Sequence, residues 1–182
     1  MRDDNAGRNS PSRCLAAGAL CIALAAGCAQ VSAPAASQSG TSASGSDRVL
    51  ELVNEARAAA RRCGFKRHDA APPLARSAVL ERAALAHARD MAARSELDHA
   101  GGDGSTPGAR ATRAGYGWRA VGENIAFGQR TAEQVVASWL NSPGHCANLM
   151  DADFTEMGVA SAVAPGGKAT IYWVQLFAAP RG

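Results

Sequence analysis

The sequence predicts an α+β domain in which helices cover an antiparallel sheet. Three observations carry that prediction. Apolar residues recur at helical spacing from residue 49 to about residue 140. Two runs rich in β-formers, 156–163 and 169–178, then close the chain. Pro165-Gly166-Gly167 lies between these runs and reads as a hairpin turn. Helices first and strands last argue for helices packed on a sheet, not for alternating βαβ units.

The elements follow in order. Val49, Leu52, Val53 and Ala56 predict a first helix over 47–62, with Gly64 as its stop. Pro72-Pro73 marks a loop. Leu80, Ala83, Ala84, His87 and Met91 form the stripe of a second helix, about 76–94. Residues 101–108, GGDGSTPG, are a turn. Thr106 followed by Pro107 then opens a short third helix ending at Gly115. Thr131 with Gln134 forms a capping box for a fourth helix carrying Val135, Val136, Trp139 and Leu140. Ser142-Pro143 starts a brief helical turn through Leu149.

The first 28 residues read as an export signal. Arg2, Arg8 and Arg13 precede an apolar run, 14–28. That run is shorter than the roughly 20 apolar residues a bilayer span takes. Its end, Leu24-Ala25-Ala26-Gly27-Cys28, resembles a bacterial lipobox, which makes Cys28 the expected lipidation site and the membrane a partner through that anchor. Ordinary cleavage within 29–35, giving a soluble product, is the rival reading. Residues 29–46 are almost all Ala, Ser, Gly, Pro and Gln and read as a flexible linker. The domain is then 47–182, and the expected location is the cell envelope.

Composition narrows the function classes. With 47% hydrophobic and 19% charged residues, the chain has enough apolar surface to fold. Net charge is only +3 and no run of like charges forms a basic tract, which argues against nucleic acid as a partner. Cys14, Cys21 and Cys28 belong to the apolar stretch. Cys63 and Cys146 remain in the domain, and in an exported chain they are expected to form one disulfide.

Four residues stand out chemically: His99, Glu123, His145 and Glu156. Imidazole nitrogen and carboxylate oxygen suit zinc. No close pair such as H-E-x-x-H occurs, so spacing alone does not show a metal site, and each residue also has a structural reading. His68, in a polar loop, and His87, on the second helix's apolar stripe, are less informative. There is no G-x-S-x-G elbow. Cys146 beside His145 does not read as a thiol nucleophile, because adjacent helical residues diverge and Cys63 is available to oxidise it.

Taken in order, several segments resemble the bacterial branch of the CAP superfamily (cysteine-rich secretory proteins, antigen 5, pathogenesis-related 1). They are Leu52-Val53-Asn54-Glu55-Ala56-Arg57, the helix from Ala86 to Ala92 leading to His99, and Gly122-Glu123-Asn124-Ile125-Ala126. Trp139 to Met150, Phe154 to Val159 and Tyr172 to Phe177 complete the set. The resemblance implies a three-layer α-β-α sandwich with a central antiparallel sheet. It also implies a cavity where two histidines and two acids meet, by position His99, Glu123 and His145, with Glu156 as the fourth. The family has been linked to sterol or lipid binding, metal binding, signalling and proteolysis, and the fold does not choose among these. The expectation is an envelope binding module. Its cavity would take zinc on His99, Glu123 and His145, or a lipid, sterol-like or cell-wall ligand. The alternative is a metal-assisted hydrolase of peptide or cell-wall material, with Glu123 as general base.

Overall fold

A computed structural model describes residues 40–166 and 169–182. The export signal, Cys28 and the linker up to residue 39 lie outside the described residues. The elements run α1 (Gly40–Arg57), β1 (Arg61–Cys63), β2 (Lys66–His68), β3 (Ala75–Arg76), α2 (Ala78–Arg94) and α3 (Pro107–Arg113). Then come β4 (Trp118–Phe127), α4 (Ala132–Asn141), α5 (Pro143–Leu149), β5 (Glu156–Val163) and β6 (Ile171–Pro180).

The main sheet has the order β3-β5-β6-β4. Strands β5 and β6 form the expected hairpin, β4 pairs antiparallel to β6, and the short β3 runs parallel to β5. Alternation along β6 explains the layers, because successive side chains point to opposite faces. Tyr172, Val174, Leu176 and Ala178 pack with Leu80, Ala84, Met91 and Ala111 of α2 and α3. Trp173 and Phe177 pack with Val53, Val135, Trp139 and Leu149 of α1, α4 and α5. Both faces of the sheet are therefore covered, which makes the three-layer α-β-α sandwich.

Two residues of the LVNEAR segment lock α1 to its surroundings. Asn54 bonds both backbone groups of Leu74, donating to its carbonyl at 3.0 Å and accepting from its N–H at 2.8 Å. The Arg57 side chain is fully buried and donates to the carbonyls of Pro72, Leu149 and Asp151 at 2.7, 2.7 and 2.9 Å. A cation on the last carbonyls of α5 caps that helix and balances its dipole.

The first helix departs from expectation at both ends. It begins at Gly40, inside the segment read as linker, and Ser46 donates to the carbonyl of Val159 at 3.0 Å. It ends at Arg57 instead of residue 62, although three alanines follow. The clamp on Arg57 and the bond between Cys63 and Cys146 pull the chain into the β1–β2 hairpin, and tertiary constraint overrides helix propensity. Gly64 is therefore a hairpin residue at φ +61°, not a helix stop. The disulfide spans 83 residues, a loop long enough for about 4–5 kcal/mol of chain-entropy stabilisation. Strand β4 has no counterpart among the expected elements. Its burial is uneven, with no clean alternation to mark it.

Gly158 explains the glycine of the FTEMGV segment. A Cβ there would fall on the backbone nitrogen of Glu81 and the carbonyl carbon of Leu80, so α2 lies directly against β5. Gly144, in α5, has open space around it. Gly158→Ala should therefore cost about 3 kcal/mol or more, because backbone cannot move aside. Gly144→Ala should be neutral or stabilising by about 0.5–1 kcal/mol. Urea unfolding of the two variants checks the contrast, and equal stabilities would show that α2 does not rest on β5 this closely.

Candidate functional site

The site forms at the open edge of the sheet, on β4. Cross-strand partners share a face, and Glu123 pairs with Leu176 while Asn124 pairs with Gln175. Glu123 therefore faces the α2–α3 layer, and Asn124 faces the α5 layer. Adjacent residues of one motif thus serve opposite sides of the sheet.

The Glu123 side chain is only 1% exposed, and a buried carboxylate is costly unless paired and hydrogen-bonded. Both of its oxygens are engaged. Arg110 Nη2 donates to Oε2 at 2.7 Å, and the Nδ1–H of His99 donates to Oε1 at 2.8 Å. Arg110 is itself buried, and also donates to the carbonyls of His99 and Ser105 at 2.9 and 2.6 Å. Helix α3 owes its placement of Arg110 to the Thr106 cap, whose hydroxyl accepts from the N–H of Ala109. His87 completes the group from α2. Its Nε2–H donates to the carbonyl of Asp98 at 2.9 Å and lies 4.0 Å from Glu123.

On the other face, buried amides hold α5 against β4. Asn148 Nδ2 donates to the Glu123 carbonyl at 3.1 Å and to Asn124 Oδ1 at 2.9 Å. Asn124 Nδ2 donates to Gln175 Oε1 and to the His145 carbonyl, each at 3.2 Å. His145 is thereby fixed next to the Glu123 backbone. The charge of His99 reaches the His145 ring.

The environments push the histidines apart. The hydrogen bond that His99 donates to Glu123 raises its pKa above the ordinary imidazole value. Burial lowers His145, and the charge of His99 lowers it further. Burial also lowers His87. The site thus favours imidazolium at His99 and neutral rings at its neighbours.

Glu156 stands apart from this group. It opens β5, and its neighbour is Tyr116, whose hydroxyl is pushed up to about 12 by burial and then by the Glu156 carboxylate. No hydrogen bond or ion pair joins Glu156 to His99, Glu123 or His145 among the described residues. Among these residues no three His, Cys, Asp or Glu side chains are disposed to hold a metal ion. The reason is visible in the geometry. Glu123 belongs to one face and is already neutralised by Arg110, whereas His145 comes from the other. Glu123 orients the His99 ring by accepting from its Nδ1–H.

Arg110 and His87 were missed as site residues. His87 was visible only as part of an apolar stripe, and nothing around Arg110 in sequence marks it. Both also line a cleft of about 480 Å³ between α2 and α3, together with Ala83, Ala86, Asp90 and Arg113. Cys146 is held in the disulfide, and neither His99 nor His145 carries a hydrogen-bonded hydroxyl or thiol among the described residues.

The model of the Cysteine-rich secretory protein family, CAP, matches residues 50–177. The chain belongs to the CAP family. A curated relative of this CAP domain, the uncharacterized protein YkwD of Bacillus subtilis (strain 168), is 35% identical over 112 residues. That match covers 62% of this chain and 40% of YkwD, so the chain spans well under half of the relative's length. The CAP domain is also similar to an extracellular SCP-domain protein from Bacillus anthracis str. Ames. The TM-score is 0.60 at 26% identity, over 75% of this chain and 41% of that one. An outer surface protein from Borrelia burgdorferi shares the fold, with a TM-score of 0.57 at 21% identity over 74% of this chain and 89% of that one.

The sign of the His99 contribution follows from its raised pKa. The added stability is fully present below about pH 6.5, the unfolded value, and is lost as pH rises through the raised folded value. His99→Ala should therefore cost more stability at pH 5.5 than at pH 9. Unfolding curves at the two pH values check this, and an equal or larger cost at pH 9 would contradict the pairing with Glu123.

Proposed function

We propose that this CAP domain is an exported binding module of the cell envelope, held near the membrane by lipid on Cys28. The occupied state of Glu123 carries the reading. A general base needs a free carboxylate oxygen beside the reacting proton, and both oxygens of Glu123 are already bonded to His99 and Arg110. The group supports a site instead of attacking a substrate. It braces His87 and Arg110, which form one wall of the α2–α3 cleft, whose volume suits a small ligand. The similar SCP-domain protein of Bacillus anthracis is extracellular, which agrees with export. Among the described residues no helix is long and apolar enough to cross a membrane.

Zinc belongs to this reading as a weak ligand of His99 and His145. Bound there, it would supply a Lewis-acidic centre whose affinity falls in acid, because the imidazoles must be neutral to ligate. Lipid, sterol-like and cell-wall compounds are the ligand classes that fit an envelope address.

The test is a thermal-shift screen of the purified chain against envelope lipids, sterols and peptidoglycan fragments, with and without zinc. A compound that fits the cleft should raise the melting temperature, and Ala86→Trp, which fills the cleft from its exposed side, should abolish the shift. Zinc-dependent turnover of a peptide or cell-wall substrate would overturn the reading and restore the hydrolase.

A further inference from the structure

The β1–β2 hairpin carries a surface that neither the core nor the Glu123 site uses. Phe65, at its turn, is 99% exposed, far more than the half-exposed Phe127, Val163 and Leu97. A phenyl ring left entirely in water contributes nothing to folding. Around it stand Arg62, Lys66 and Arg67, all exposed. The linear sequence hides this cluster, because Cys63-Gly64-Phe65 interrupts the charges.

Pairing brings Arg62 and Arg67 onto one face, with Lys66 on the other face beside the turn. Arg62 lies directly opposite Arg67, and Cys63 opposite Lys66. Directly opposed side chains share a face with Cβ atoms about 4.5–5.5 Å apart, where like charges are unfavourable. Among the described residues no carboxylate stands within ion-pair distance of Arg62, Lys66 or Arg67. Some exposed arginines elsewhere among the described residues have such partners, as Arg48 with Glu51 and Glu133, Arg76 with Glu81 and Arg113 with Asp103, while Arg82, Arg89, Arg119, Arg130 and Arg181 do not; what sets the hairpin apart is that its cations flank an exposed ring. The hairpin cations are left uncompensated.

The mount is rigid. Cys63 is bonded to Cys146, Arg62 Nη2 donates to the Phe65 carbonyl at 3.1 Å, and Pro143 backs closely on Gly64. An aromatic tip flanked by cations is thus held outward by a covalent brace at Cys146, one residue from His145.

We propose that this hairpin docks on an anionic lipid bilayer surface. Phe65 enters the boundary between headgroups and acyl chains, while Arg62, Lys66 and Arg67 engage lipid phosphates. Charge complementarity requires an anionic occupant, and the exposed ring requires an apolar layer behind the anions. A bilayer interface supplies both in that order. A soluble polyanion would leave Phe65 in water. The surface depends neither on the ligand of the α2–α3 cleft nor on lipid at Cys28.

The test is flotation of the full chain with vesicles of phosphatidylcholine, with and without phosphatidylglycerol. Arg62→Ser with Arg67→Ser should weaken binding to the anionic vesicles about thirtyfold, at roughly fivefold for each arginine. Phe65→Ser should weaken it about tenfold. Phe65→Trp should give blue-shifted fluorescence quenched by brominated lipid. The N-terminal apolar run is common to all variants, so equal binding by all of them would assign membrane affinity to that run and overturn the proposal. Loss with the arginines but none with Phe65 would make the hairpin a site for soluble polyanions, which also overturns it.

Discussion

A carboxylate with almost no exposure to water governs the centre of this domain. Glu123 cannot be left uncompensated, so its surroundings are arranged to pair it. Arg110 from α3 supplies the cation and His99 the second hydrogen bond. The same guanidinium holds the carbonyls of His99 and Ser105, so the loop between α2 and α3 is organised by the group that neutralises Glu123. Burying such a pair rarely adds much net stability, but removing one partner strands a charge. The pair therefore acts as a constraint: α2, α3, the 99–105 loop and β4 must meet in one way for it to be satisfied.

The opposite face is organised by neutral amides. Asn124, Asn148 and Gln175 form a chain of hydrogen bonds that tethers α5 to β4 and β6. Buried amides with fixed partners are costly to misplace. They set His145 beside the Glu123 backbone while keeping it out of the carboxylate's own coordination. The two imidazoles thus belong to opposite sides of β4, one raised and one lowered in pKa. This division separates the Glu123 carboxylate from His145 and sets it against Arg110 and His87, beside the adjoining cleft.

Much of this was legible in the sequence, and the exceptions have physical reasons. The apolar stripe located α2, the Thr131 cap and its apolar residues located α4, Thr106-Pro107 located α3, and the runs of β-formers on either side of Pro165 located the closing hairpin. The Thr131 cap behaves as read, accepting from the Gln134 N–H, though Gln134 returns its bond to Arg130 instead of Thr131. The pairing of Cys63 and Cys146 was readable because only two cysteines remain in the domain. Strand β4 was not readable, since its residues serve polar networks on both faces and show no alternation. The end of α1 failed because the disulfide and the buried Arg57 outweigh three alanines. The partners of Glu123 failed for a similar reason: Arg110 and His87 are linked to it only through tertiary contacts. Asn124, Asn148 and Gln175 did lie inside the segments that carry the family resemblance, but their roles needed the strand register.

The most direct test of the central constraint is a double-mutant cycle on the buried pair. Glu123→Gln and Arg110→Met should each lower unfolding free energy by about 3–5 kcal/mol, because each leaves an uncompensated polar group in the interior. The double variant should lose clearly less than the two losses combined, giving a coupling of at least about 1 kcal/mol. Losses that simply add would show that Glu123 and Arg110 are stabilised separately, and that the pair does not hold the site together.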